Sequence, residues 1–413
     1  MDRRTRSPLA GSDMKTKYRA TRSRLDFAKF NDKLPHEFFE LHFSRVYSAA
    51  YDLVRAVFGT ESLKQDASPW KSKLSNTFCR HVEAIARPGI RGADWDSLLR
   101  NGDERTYLLQ GVIGRALDDH VFSCGLFGSS EQHQAQLQAE DAEYLQVEGF
   151  LRSANRVGRN LTYLRGEGSL EPPQFWDEVE EATQAIMRML LPVHRLVCGR
   201  LRNPEESQST LYQKLHDIIA HAAWLSVGMQ LSTCITQIDW LRPGEVCAFG
   251  QVNVSDDTFE RGRREALKLS GTSGRGDFAH IARVKISVVP QVTRYEAVSG
   301  SEARSSGLTS YAVTRPHAVY YQGWGREDKN RESLVSLSTY LGGPGRAGRS
   351  RDGKAGARTR GGGRSSSAIS KAIRYGSPLV AVWAAWNYSS VLTDDHVRQH
   401  LIGLVNEVIK SIA

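Results

Sequence analysis

Apolar residues recur at spacings of three and four through most of the first half of the chain. After Pro35, the residues Phe39, Phe43, Val46, Ala50, Leu53 and Val57 fall on one face of a helix that Gly59 ends. The same periodicity predicts a second helix over 70–86, with Leu74, Phe78, Val82 and Ile85 inward and Pro88-Gly89 as its stop. A third runs over 103–122, where Gly111 and Gly114 would allow a close helix crossing. A fourth starts near Ser129, with Gln132 in capping-box register, and runs to about Val157. The fifth covers 174–191 and breaks or kinks at Pro192. The sixth covers 204–232, with Leu211, Leu215, Ile218, Ala222, Leu225 and Met229 as its stripe. Together these predict an irregular multi-helix bundle over 35–232.

The period then changes. Ala282, Val284, Ile286 and Val288 alternate with more polar residues, a strand signal that Pro290 interrupts. A second β-rich run spans 311–321, and Pro316 demotes it to an edge or irregular strand. A short helix is expected over 330–341. The expected fold class is therefore mainly α, with a small appended β-sheet in an α+β segment at 233–341. Residues 342–374 form an Arg/Gly-rich segment whose composition cannot build a packed core. Over 375–413, Val397, Leu401, Leu404, Val408 and Ile412 predict a last amphipathic helix folding back on the body. The apolar stretch 378–392 is about 15 residues, shorter than the roughly 20 a spanning helix needs, and reads as a buried helix or strand.

Charge changes this picture most. The chain of 413 residues carries a net +9, but residues 1–24 hold +6 and residues 342–374 hold +8, leaving −5 on the remainder. A basic arm and a basic linker on a mildly acidic body form a layout suited to nucleic acid, and equally to solvated tails that bind nothing. The five cysteines lack any CxxC pair, which fits a reducing compartment and no zinc module. The N-terminus has no apolar signal region, so an intracellular, nuclear location is expected.

Two motifs carry the candidate chemistry. Arg346, Arg349, Arg351, Arg358, Arg360 and Arg364 sit among nine glycines. Flexible arginines pair with phosphates and stack on bases, which points to RNA or DNA as partner. The segment resembles the Arg-Gly-rich segments of RNA-binding proteins, although Arg360-Gly361-Gly362 is its one strict triplet and no aromatic is interleaved. Arg3 and Arg4, a ten-residue spacer, then Lys15, Lys17 and Arg19 match a bipartite nuclear-localisation pattern, read by the acidic groove of an import receptor. A mitochondrial presequence is the competing reading of that arm, weakened by Asp2 and Asp13.

His216-Asp217 resembles the His-Asp pair of the all-helical HD phosphohydrolases. That resemblance implies a divalent metal completed by a further His and Asp, for which His194 and Asp239 are the convenient residues. Asp118-Asp119-His120 is a second acidic cluster, lacking metal-ligand spacing and read as a charged turn. The glycine-rich run Gly271–Gly276 fits no nucleotide fingerprint and precedes a strand. No catalytic residue, metal ligand or cofactor is assigned on these grounds. The stretches ERTYLLQGVIGRALDDHVFS and ESLVSLSTYL give the chain a texture that resembles lineage-restricted proteins of filamentous fungi, a likeness that implies no activity and no site.

The expectation is a non-enzymatic intracellular interaction protein with salt-sensitive, nonspecific nucleic-acid binding. The alternatives are a helical scaffold without nucleic-acid binding and a metal-dependent phosphohydrolase centred on His216 and Asp217.

Overall fold

A computed structural model of the chain describes residue 14 and the segments 18–31, 34–59, 62–63, 68–72, 74–143, 149–198, 204–270, 281–298 and 307–342. These fall in one compact unit, Met1–Gly345; the second unit, Arg346–Ala413, lies outside the described residues. The last amphipathic helix and the 378–392 stretch predicted from sequence lie there too.

Helices dominate. Helix α1, His36–Phe58, buries Phe39, Phe43, Val46, Ala50 and Leu53 of the expected stripe and, beyond it, Val54 and Phe58 with Val57 only half-buried; Gly59 caps it by donating its N–H to the Arg55 carbonyl. Helix α2 is shorter than expected, Asn76–Ile85. Pro69 opens a separate 3-10 turn, Pro69–Lys71, and the Ser75 hydroxyl caps α2 at the Phe78 N–H, so the helix starts six residues after Trp70. Helix α3, Trp95–Arg100, precedes α4, Gly102–Leu117. The Asn101 side chain accepts from the N–H groups of both Asp103 and Glu104 at 3.0 Å, which fixes the start of α4.

Helix α4 is buried on almost every side and packs on α1, α2, α3 and the sheet behind it. Its glycines face the β region as well as the neighbouring helices, Gly111 towards Ile85 of α2 and Gly114 towards Tyr47 of α1. A Cβ on Gly111 would meet the Ser287 carbonyl oxygen of a strand at 2.4 Å, and one on Gly114 would meet the Trp240 ring at 2.8 Å. The helix passes into a π-helical turn, Asp118–Phe122. The predicted fourth helix falls on α5, Glu131–Glu143, and the start of α6, Gly149–Gly166. Helix α7, Phe175–Cys198, continues past Pro192, which does not end it. Helix α8, Pro204–Gln230, packs along α7 and α1.

The β region is two three-stranded sheets built on one long antiparallel ribbon. Strands β1 (Ile235–Asp239) and β2 (Val252–Asn253) precede helix α9 (Asp256–Ser270), which no apolar stripe had signalled. Then come β3 (Ile281–Val289), β4 (Gln291–Val298), β5 (Gly307–Thr314) and β6 (His317–Gly323). Short helices α10 (Glu327–Glu332) and α11 (Leu337–Gly342) replace the single helix expected there. The sheets have the orders β1-β4-β5 and β2-β6-β3. Val289 pairs with His317 and Val292 with Thr314, so Pro290 and Pro316 interrupt both strands of the ribbon at one level. Pro316 therefore makes an elbow, and β6 beyond it is the central strand of its sheet, not an edge.

Helices and sheets share a main core, with two smaller clusters around Val284 and Tyr321. One buried cluster contains Tyr18, the α1 and α4 stripes, Leu215 and Leu225 of α8, Ile286, Val292 and Val313 of the ribbon, and Leu337. The arm over 1–24 was expected to be disordered, but its residues 18–24 lie along α8. Tyr18 stacks on Tyr212 and donates to Gln208, the Thr21 N–H donates to Gln213, and Ser23 donates to Asp217. All five cysteines are free thiols. Among the described residues, no helix is long and apolar enough to cross a membrane.

Candidate functional site

Of the residues that carry the sequence expectations, Arg346, Arg349, Arg351, Arg358, Arg360 and Arg364 lie outside the described residues, as do Arg3, Arg4, Lys15 and Lys17. Arg19 is described and exposed, next to the buried and anchored Tyr18.

His216 is buried with its ring stacked on Trp176 at 5.9 Å, and burial holds it below the usual histidine range. Its neighbour Asp217 accepts from Ser23 and Gln213. His194 is hydrogen-bonded with Ser207, and Asp239 sits in β1 opposite Gln291. Among the described residues, no group of three or more His, Cys, Asp or Glu side chains could hold a metal ion. The Asp118-Asp119 pair is answered from within its own helix: Arg115 reaches Asp118 at 3.1 Å and Asp119 at 3.3 Å, and Trp240 Nε1 donates to Asp118. Burial raises the Asp118 carboxyl above the ordinary range, and Arg115 and Trp240 work against that shift.

Three arrangements were not anticipated. The first is an ionic pocket of about 270 Å³ between α4, α9 and β3. Its floor is the ion pair of Lys285 and Glu104, 2.7 Å apart and both buried. Arg261 approaches the other Glu104 oxygen at 3.9 Å, and Arg91 at the rim pairs with Glu265. Lys285 and Arg261 thus share Glu104, while Arg91 has Glu265.

The second is a histidine pair. His42 Nδ1 of α1 lies 2.8 Å from His221 Nε2 of α8, beside Trp224. Burial, the facing His221, and then Arg45 and Lys29 lower His42 to about 4; burial and Arg45 lower His221. Both rings are therefore neutral near pH 7, one donating to the other.

The third is a groove of about 860 Å³. One wall is a stripe of α1 containing Glu40, Ser44, Ser48 and Asp52, with Tyr47 and Tyr51 beside it. The facing wall is Ala312, Val313 and Thr314 of β5, and Val288 and Val289 line it at the elbow of the ribbon. Tyr107 of α4 stacks on Tyr51 at 6.2 Å and donates its hydroxyl to the Val254 carbonyl, forming an aromatic end. Burial raises the Tyr107 hydroxyl, and Tyr51 and Asp103 add to the shift. The Glu40/Ser44/Ser48/Asp52 spacing is visible in the sequence as a polar helix face. Its partner wall depends on a strand some 260 residues away, which no local signal announces.

No protein-family model, curated protein or solved structure matches this chain.

Proposed function

We propose that the protein is a non-enzymatic interaction protein whose folded body carries protein contacts and whose basic segments bind nucleic acid without sequence preference. The carrying observation is the charge layout: +14 resides in residues 1–24 and 342–374, against −5 on everything else. Six arginines among nine glycines supply phosphate contacts without a fixed geometry, and that favours sequence-independent binding. Arg19, exposed beside the anchored Tyr18, is accessible to a receptor reading the bipartite pattern, which supports nuclear import through Arg3, Arg4, Lys15, Lys17 and Arg19.

Fluorescence anisotropy with labelled single-stranded RNA and duplex DNA tests the binding. Full-length protein is expected to bind at low salt. If all six arginines meet phosphates, log K falls against log salt with a slope of about −4 on single strands. A chain lacking residues 342–367 is expected to lose most of that slope. Equal binding by both chains, or none by either at low salt, sinks the proposal. For import, replacing the five basic residues of the arm by alanine is expected to abolish nuclear accumulation of the tagged protein.

A further inference from the structure

We propose that the ionic pocket between α4, α9 and β3 binds a small molecule carrying a single carboxylate group, held by Lys285 and Arg261. This site goes beyond the nucleic-acid reading above and does not rest on it.

The charge balance of the pocket floor carries the inference. Lys285 is buried, 8% exposed, and among the described residues the one partner of its ammonium is Glu104 Oε2 at 2.7 Å. An ammonium has three N–H donors, so two remain without a protein acceptor. Arg261 donates to Thr258 Oγ1 at 3.1 Å and lies 3.9 Å from Glu104 Oε1, which leaves most of its five donors unused. One carboxylate thus answers two cations. The neighbouring groups do not supply the missing charge, because Glu265 pairs with Arg91 and Asp96 with Arg100. The remaining acid of the lining, Asp94, is exposed at the rim. Over the whole lining, four basic side chains stand against three acidic ones, an excess of one positive charge. A buried cation is stable when its donors are met, by protein, water or a ligand.

The uncharged lining fits the same ligand. Asn101 uses its side-chain oxygen to accept from the N–H groups of Asp103 and Glu104, so its amide nitrogen keeps both hydrogens to donate. The Thr258 hydroxyl accepts from Ser255 and Arg261, which leaves its own hydrogen to donate. Ammonium, guanidinium, amide and hydroxyl donors around one space suit an oxyanion. The excess of one charge selects a carboxylate over a phosphate monoester, which carries about −1.5 to −2 near neutral pH. Pro88, Ile90 and Tyr321 give the pocket an apolar wall for the carbon body of the acid. Its volume of about 270 Å³ falls below the roughly 300–1,000 Å³ of sites for drug-sized ligands, so the acid is a small one.

The test is thermal melting of the full chain at constant ionic strength, with acetate, butyrate or benzoate added in turn at about 10 mM, since a ligand of the native state raises the midpoint. At least one of these acids is expected to raise it by about 2 °C. The matching amides (acetamide, butyramide and benzamide) have the same shape without the charge and are expected to give no shift. Arg261→Gln, at a half-exposed position, is expected to bind the acid at least tenfold less tightly. The Glu104→Leu/Lys285→Met protein, which removes the buried pair together, is expected to lose the shift altogether. Both variants keep the basic segments, so any association there is common to all the proteins. Absence of a shift with all three acids overturns the proposal, as does an equal shift with an amide or a larger one with inorganic phosphate. A shift unchanged in Arg261→Gln, or surviving in the folded double variant, overturns it as well.

Discussion

Lys285 Nζ lies 2.7 Å from Glu104 Oε2, and this buried pair joins the middle of β3 to the first turn of α4. Glu104 is held in place by its own N–H, which Asn101 caps, and the Lys285 carbonyl accepts from the Arg87 N–H. The pair therefore sits where helix layer, loop and sheet meet.

Removing one partner is expected to be far worse than removing both. Lys285→Met leaves a buried carboxylate with only Arg261 nearby, and should cost about 3–5 kcal/mol in urea denaturation. Glu104→Leu with Lys285→Met should recover most of that loss. A double variant no more stable than the single would show that the pair contributes by more than mutual neutralisation.

The histidines give the fold an acid limit. His42 at about 4 lies below its unfolded value of about 6.5, so between those two values the unfolded chain binds a proton that the native chain does not. Stability is therefore full above pH 6.5 and is lost as pH falls towards 4. The same direction holds for His81, His194, His216, His221 and His317, all lowered chiefly by burial. Thermal melting followed from pH 7.5 to 4.5 should show a falling midpoint, with a shallower fall in His42→Gln. Identical pH profiles for the two proteins would remove His42 from the account.

Gly111→Ala should destabilise, although alanine is the better helix former by about 1 kcal/mol. Its Cβ would sit 2.4 Å from the Ser287 carbonyl oxygen and 2.8 Å from Ile85 Cδ1, and a main-chain oxygen in a sheet cannot rotate away. A net loss of about 1–3 kcal/mol is expected from chemical denaturation. A stabilised variant would mean that α4 and β3 can separate freely.

Arg294 should prove irreplaceable by lysine. Its guanidinium lies 3.8 Å above the Phe39 ring, donates to Ser232 Oγ at 2.7 Å and reaches His36 Nδ1 at 3.2 Å. The planar fork spans these contacts at once, and a point ammonium cannot. Arg294→Lys is expected to cost about 2 kcal/mol, read from the urea midpoint. An unchanged midpoint would contradict this.

The helices legible in the sequence are those with a one-sided apolar stripe and a plain stop. α1 shows this with Gly59, and α8 with Pro204 at its start. α9 was hidden because DDTFERGRREALKLS is mostly charged, with Phe259 and Ala266 as its packed residues. Pro192 does not break α7: neighbours that bury Met189, Leu190 and Val193 hold the helix through a residue that would end an isolated one. The place of β6 at the centre of its sheet depends on pairing with β2 and β3, and pairing partners are not written in a strand's own composition. The groove was illegible for the same reason, since its two walls are brought together from α1 and β5, some 260 residues apart.

The strap at residues 18–30 has a consequence for the order of events during synthesis. Its contacts are with α8: Tyr18 with Gln208 and Tyr212, and Trp224 with the Asp26 carbonyl, 190 residues or more along the chain. At about 5–20 residues per second, the ribosome needs roughly 10–40 s to make the surface on which this segment rests. Made some 190 residues before the helix it rests on, the strap can dock only after α8 is made, and its closure marks completion of the helical layer.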